Sequence, residues 1–287
     1  MTIPPPDGSR DRRIEDLSNL YLIHPAARAL VPFAIARGVS ANMVSVLGLG
    51  FGVCAMMAFV GLPGWRGALL GMVLAGCWLV ADGLDGMVAR ATGTASRLGR
   101  ILDGLCDHGV FILIYCALAV SIGTVAGWAL AIAAGIAHAV QSSLYEGERA
   151  RFHRRLRLQS PPPVASHVPV YDRIATAADR AGRRLDAQIA GPSGAGVAAG
   201  YVARAVAPMR VMALLSANVR VGLFVLAVLI REPTLAWWIE LVPLTVVAVA
   251  TMTWHRQVEQ RATRGFDPAA APATAAGGAH AGYGRRA

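Results

Sequence analysis

Charge is scarce in this sequence. Only 15% of its 287 residues are charged and 55% are hydrophobic, whereas a soluble globular domain carries about 25% charged residues. An ordinary water-soluble domain is thereby excluded, and a polytopic membrane protein is indicated. Lysine is absent, so all 27 basic residues are arginine. Cysteine is sparse: Cys54, Cys77, Cys106 and Cys116 all lie in apolar runs with no C-x-x-C pair, which excludes a disulfide framework or a zinc site. Residues Met1 to Arg13 are polar and proline-rich with no adjoining apolar run, so no secretory signal peptide is expected there. A net charge of +10 comes without any nucleic-acid motif or aromatic platform, so nucleic acid is not an expected partner.

Apolar runs of membrane length are what the chain has in abundance. They fall at roughly Ser40–Leu62, Trp65–Arg90, Leu98–Ile122, Val125–Tyr145, Val206–Ile230 and Leu235–Trp254. Each supplies the roughly twenty residues that a bilayer core requires. The expected fold is an all-α polytopic membrane protein with six transmembrane helices plus amphipathic interfacial helices. Residues 14–38 mix apolar and charged positions around Pro25 and Pro32 and read as interfacial helices, with Ser40 or Asn42 capping the first span. After the fourth span, Arg149, Arg151, Arg154, Arg155 and Arg157 form a basic run that Pro161-Pro162-Pro163 ends. Ile174, Ala178, Ala181, Leu185 and Ile189 then recur at helical spacing among arginines, as in a surface helix resting on anionic lipid. Gly191–Gly200 reads as a small-residue linker, and the Ala/Gly-rich stretch from Gly265 as a disordered tail. The expected division is thus an N-terminal segment 1–39, a six-span domain 40–255 with a basic insertion at about 149–200, and a tail 256–287.

The arginines sort by side. The termini and the joints after spans two and four hold nearly all of them, whereas the opposite turns hold only Arg66 and Arg231. By the positive-inside rule both termini face the cytoplasm, in an inner (cytoplasmic) membrane.

Four carboxylates stand where this layout makes them costly. Asp82 and Asp85 are three residues apart near the inner end of span two, and Asp103 and Asp107 four apart near the start of span three. On helices each pair shares a face. Like charges gathered at membrane depth repel, and hard divalent cations, which prefer oxygen ligands, relieve that repulsion. Two ions so held can grip a polyphosphate and stabilise attacking and leaving oxygens. Gly86 and Gly99 leave room for a ligand against the helix surface, and Arg90 follows Gly86 by one turn, suited to a phosphate.

The spacing D-x-x-D-G-x-x-A-R-x8-G-x3-D-x3-D, written here by Asp82, Asp85, Gly86, Ala89, Arg90, Gly99, Asp103 and Asp107, resembles the signature of the CDP-alcohol phosphotransferases (CDP-alcohol phosphatidyltransferases). These are integral-membrane enzymes of phospholipid synthesis. Asn42-Met43-Val44-Ser45 also looks like the opening of the family's first helix, with Ala41 where a proline often stands. The resemblance implies that an alcohol hydroxyl attacks the phosphorus of a CDP-alcohol, with CDP-diacylglycerol as the expected donor, and that CMP leaves. It implies that Asp82, Asp85 and Asp103 ligate two Mg²⁺ or Mn²⁺ ions. Asp107 would be a further ligand or the general base, and Gly83, Gly86, Ala89, Arg90 and Gly99 would line the CDP pocket. Rival expectations are an Mg-dependent intramembrane prenyltransferase and a divalent-cation transporter. The first typically has two separate Asp-rich motifs, and the second would favour carboxylates nearer the midplane.

Other residues carry weaker signals. Arg220, well inside span five, is a candidate for acceptor or phosphate binding, since an intramembrane arginine is by default functional. His138 and Glu240 read as packing partners or interfacial groups. Glu146, Glu148 and Arg149 read as a solvated helix end. His108 points about 100° away from Asp107, and Cys106 suits softer metals. Gly48-x-x-x-Gly52 permits close helix packing and leaves a homodimer open.

Overall fold

The computed structural model describes residues 10–62, 64–160 and 182–264. Every regular element among them is helical. A short π-helical turn, Asn19–Ile23, leads into α1 (His24–Ala36); α2 (Ala41–Gly61), α3 (Trp65–Ala91), α4 (Arg97–Ile122) and α5 (Val125–Leu156) follow. Residues 182–189 form α6. The chain continues through α7 (Gly194–Met212), a 3₁₀ turn at Ala213–Leu215, α8 (Ala217–Leu229), α9 (Thr234–Leu241) and α10 (Pro243–Arg264). Six stretches are long and apolar enough to cross a membrane: Ala41–Gly61, Trp65–Ala91, Gly104–Ile122, Val125–Leu156, Gly194–Leu215 and Thr234–Arg264.

The helix starts follow from local chemistry. Ser40, Ser96 and Thr124 are extended cap residues whose hydroxyls accept from the backbone N–H groups of Met43, Gly99 and Gly127, which satisfies donors that a helix start leaves orphaned. Gly123 ends α4 at φ +68°, a left-handed position that glycine takes without strain.

The second half departs from expectation in three places. Gly191–Gly200 is not a linker throughout, because α7 begins at Gly194; the five alanines from Ala195 to Ala205 favour a helix more than the glycines oppose it. The span expected over Val206–Ile230 breaks at Ser216, whose backbone is extended. Lastly, the apolar side of α6 does not face lipid: Leu185 and Ile189 are buried in a core with Phe152, Tyr201, Val258 and Ala262 from α5, α7 and α10. Ile174, Ala178 and Ala181, like the tail from Gly265, lie outside the described residues.

Close packing places α2 between α3 and α4. A Cβ at Gly48 would stand 3.1 Å from the Ala81 Cβ of α3, and one at Gly52 would collide with Val110 of α4. The Gly48-x-x-x-Gly52 pair is therefore used inside the protomer, each glycine against a different neighbour. On the other flank, α1 lies on α3 in a small core of Ala27, Val31, Ala34, Ala81, Leu84 and Val88.

His24, at the first turn of α1, reports on that docking. Its pKa is lowered to about 4, first because burial penalises the imidazolium and next because Arg10 and Arg149 repel a further cation. The fold thus favours the neutral ring, so this contribution to α1 docking is complete above the ordinary histidine value of about 6.5 and is lost as pH falls from there toward 4. Titration of His24 by NMR is expected to give a midpoint near 4; a midpoint near 6.5 would show that α1 is not docked.

Candidate active site

The last two turns of α3 and the first turns of α2 and α4 converge at the end of the bundle where arginines are concentrated. Asp85 is buried at 5% exposure, and Asp82, one turn earlier, is half-buried. Ser45, one turn into α2, donates its hydroxyl to Asp85 Oδ2 at 2.6 Å. A buried carboxylate needs such donors, since removal from water otherwise favours its neutral form. Asn42, at the same end of α2, reaches across to α4: its Oδ1 lies 3.7 Å from where a Cβ on Gly99 would stand. Sequence reasoning placed Asn42 and Ser45 in the opening of the first span but gave neither a part in the site. Their three-residue spacing, which puts both on one helix face, is the signal that finds them.

The glycines have separate uses. Gly86 is overlaid by the guanidinium of Arg90, with Nη1 3.1 Å from the position a Cβ would take. An alanine here would push that arginine away. Gly83 is buried and faces α1 instead, with Ala27, Ile23 and His24 between 3.5 and 3.9 Å from its virtual Cβ. Ala89 is half-buried one residue before the exposed Arg90. Asp103 and Asp107 are carried by α4, on the turns that follow Gly99; their side chains lie outside the described residues. The oxygen-only donor set on α3 fits a hard divalent cation.

Arg220, in the first turn of α8, is engaged by side chains and backbone of other elements. It is fully buried, its Nε donating to Glu240 Oε1 at 2.9 Å and its Nη2 to Gln141 Oε1 at 3.0 Å, while Nη1 donates to the Leu215 carbonyl. That carbonyl belongs to the interrupted end of α7. Gln141 in turn donates to the Glu240 carbonyl at 3.0 Å, beside the break that Pro243 introduces by lacking an N–H. Tyr115 Oη is 3.5 Å from Glu240 Oε2 and from His138 Nδ1. The arginine's fork is thus taken up by partners within the bundle.

A second buried ionic group lies at the ends of α5 and α10. His255 Nδ1 is 2.7 Å from Glu148 Oε2, and its Nε2 is 2.8 Å from Tyr201 Oη. Glu148 is therefore not part of a solvated helix end, although Glu146 remains half exposed. Among the described residues, Glu148, His255 and Glu259 bring ligand atoms within 4.8 Å of one another, a spacing that also suits a cation. Guanidinium groups already serve that purpose: Arg151 Nη1 is 3.2 Å from Glu148 Oε1, and Arg155 donates to Glu259 Oε1 at 2.5 Å and to Asp186 Oδ1 at 2.6 Å. The group ties α5, α6, α7 and α10 together.

Residues 39–150 match the family model of the CDP-alcohol phosphatidyltransferases. The match spans α2, α3 and α4 and ends within α5. A curated relative, the phosphatidylinositol phosphate synthase of Mycolicibacterium smegmatis (strain ATCC 700084 / mc(2)155), is 31% identical over 99 residues, covering 32% of this chain and 42% of that protein. The matched stretch is thus less than half of the relative's length.

Replacing Arg220 by Met strands Glu240 without its counter-charge and is expected to lower stability by about 3–5 kcal/mol. The double variant R220M/E240M should recover part of the loss. Unfolding titrations in mixed micelles check this; equal stability of wild type and R220M would contradict the pairing.

Proposed function

We propose, from the CDP-alcohol phosphatidyltransferase domain at residues 39–150, that this chain is a membrane enzyme of phospholipid synthesis. It transfers a phosphatidyl group from CDP-diacylglycerol to the hydroxyl of an acceptor alcohol and releases CMP. The observation that carries the reading is the set at the end of α3: Asp82 and Asp85 with the Ser45 hydroxyl, and Arg90 folded over the bare backbone of Gly86. The relative's name supports phosphatidyl as the transferred group.

Asp82, Asp85, Asp103 and Asp107 would hold two Mg²⁺ or Mn²⁺ ions. When bound, these supply charge neutralisation at the diphosphate and stabilise the attacking and leaving oxygens. The chain's own groups do the rest. Ser45 orients Asp85. Arg90 presents a guanidinium to the diphosphate, and Gly86, Ala89 and Gly99 keep side-chain bulk out of its way. Gly83, beneath α1, shapes the wall of the pocket through packing. The acceptor oxygen forms a bond to the phosphorus distal to cytidine as the bond to the CMP oxygen breaks. CMP departs with that electron pair, and the hydroxyl proton passes to Asp107, which lies one turn beyond Asp103 on α4. Arg220 acts as a positioning residue rather than an acceptor ligand, because Glu240, Gln141 and the Leu215 carbonyl occupy its donors. The arginine-rich end faces the cytoplasm, so lipid enters sideways and the polar acceptor from water.

Purified protein with radiolabelled CDP-diacylglycerol, Mg²⁺ and separate acceptors (glycerol 3-phosphate, inositol, inositol phosphate, serine) is expected to release CMP with at least one of them. No CMP from this donor or from CDP-choline or CDP-ethanolamine, at any metal concentration, would refute the reading. Asp103→Asn should abolish turnover in a folded, membrane-inserted protein. Asp107→Asn should abolish turnover while weakening metal binding less than Asp103→Asn does. Ser45→Ala, which removes one hydrogen bond to a carboxylate, should raise the Mg²⁺ concentration for half-maximal activity about tenfold or more. An unchanged metal requirement would separate Ser45 from the site.

A further inference from the structure

Between α6 and α10 lies a groove of about 560 Å³ lined by Arg184, Gln188, Arg256, Gln260, Thr263 and Arg264, with Leu185 and Glu259 at its base. Gln188 bridges the two helices by donating to the Thr263 carbonyl at 3.3 Å. Glu259 is neutralised from the inward side, where Arg155 and Arg151 lie 2.5 and 3.7 Å from its Oε1. Arg184, Arg256 and Arg264, by contrast, make no ion pair or hydrogen bond among the described residues. Three guanidinium groups facing one groove with no ion-pair partner among the described residues create a local positive potential, and each presents a planar fork matched to phosphate oxygens.

The level of the groove is set by α10. Its apolar stretch ends at the exposed Trp254, an indole of the kind that settles at a membrane boundary. Arg256 follows two residues later, and Arg264 lies about 15 Å beyond Trp254 along the helix. The groove therefore runs from headgroup depth out into water. It stands apart from the carboxylate site: α10 packs on α5, α7 and α9, whereas α3 packs on α1, α2 and α8.

We propose that this groove is a binding site for a phosphate-bearing anion, separate from the site at the end of α3. Its ligand is either the headgroup phosphate of an anionic lipid or the phosphate of a soluble compound, and the two sources are separable by experiment. Full-length protein in phosphatidylcholine nanodiscs is titrated with phosphatidic acid, and retained lipid is counted by native mass spectrometry. In a parallel arm, inorganic phosphate is titrated by calorimetry into the same neutral nanodiscs. Two variants carry equal charge loss: R184Q/R264Q inside the groove, and R183Q/R261Q on exposed neighbours that do not line it.

The groove variant is expected to bind about tenfold to thirtyfold more weakly, and the control less than twofold. Saturable binding of phosphatidic acid alone assigns a lipid ligand; saturable binding of inorganic phosphate assigns a soluble one. Equal weakening in both variants would reduce the effect to general surface charge and overturn the proposal. So would an absence of saturable binding for both probes. These readouts do not involve turnover, so failure here and failure of the proposed activity are distinguishable.

Discussion

A bilayer interior offers no water to a broken helix, so every interruption of the backbone ladder must be answered from within the bundle. Among the described residues two such interruptions stand out, at Ala213–Ser216 where the fifth span ends and at Val242–Pro243 within the sixth. Arg220 answers the first through the Leu215 carbonyl, and Gln141 answers the second through the Glu240 carbonyl. The two solutions are joined, because Arg220 also holds Gln141 and Glu240. One cation thus fixes the register of α5, α8 and α9. As α8 packs on α3, that register extends to the helix that carries Asp82 and Asp85.

Among the described residues, carboxylates gather in one fully buried group and in a partly buried one at the end of α3, and their described surroundings differ. Around Glu148, Glu259 and Asp186 stand Arg151, Arg154 and Arg155, so positive and negative groups close on each other. Such a group holds helices in place; removing one member leaves a buried charge uncompensated. Around Asp82 and Asp85 the setting differs. There the described surroundings include the Ser45 hydroxyl on Asp85 and the Arg90 guanidinium laid over the bare backbone of Gly86. Among the described residues, Glu148, His255 and Glu259 are the three whose ligand atoms lie within 4.8 Å of one another, and it is this group that the arginines close upon.

Sequence periodicity conveyed the first half of the fold well, because α2 to α5 are apolar runs separated by serine, threonine and glycine signals with direct mechanisms. It conveyed the second half less well for identifiable reasons. The break at Ser216 is marked by neither glycine nor proline between Met209 and Val221, and the tertiary pairing of Arg220 explains why it is tolerated. Alanines outweighed glycines at the start of α7. Glu148 looked solvated because helix ends usually are, yet α5 runs to Leu156, about 48 Å of helix. Its last turns therefore stand clear of a roughly 30 Å hydrocarbon core, where α6, α7 and α10 bury them. At the site, the spacing of aspartates and glycines was readable, but the pairing of Ser45 with Asp85 spans forty residues and two helices. No local pattern conveys such a contact.

Gly83 shows how one motif position can serve packing while its neighbours serve chemistry. A helix has about 3.6 residues per turn, so Gly83 lies roughly 100° around the axis from Asp82 and 200° from Asp85. The face it presents is the one α1 covers, with Ala27 set directly over it. A methyl group there would just touch Ala27, Ile23 and His24, whereas a longer side chain would press on α1, His24 and the π-helical turn before it. That turn is anchored in its own right, since Asn218 of α8 donates to Ser18 at 2.7 Å and to Asp16 at 3.1 Å. The segment from Asp16 to Ala36 is therefore held by α8 at its start and by α3 along its length. It forms a fixed wall beside the carboxylates, and its position rests on the same α8 that Arg220 holds in register.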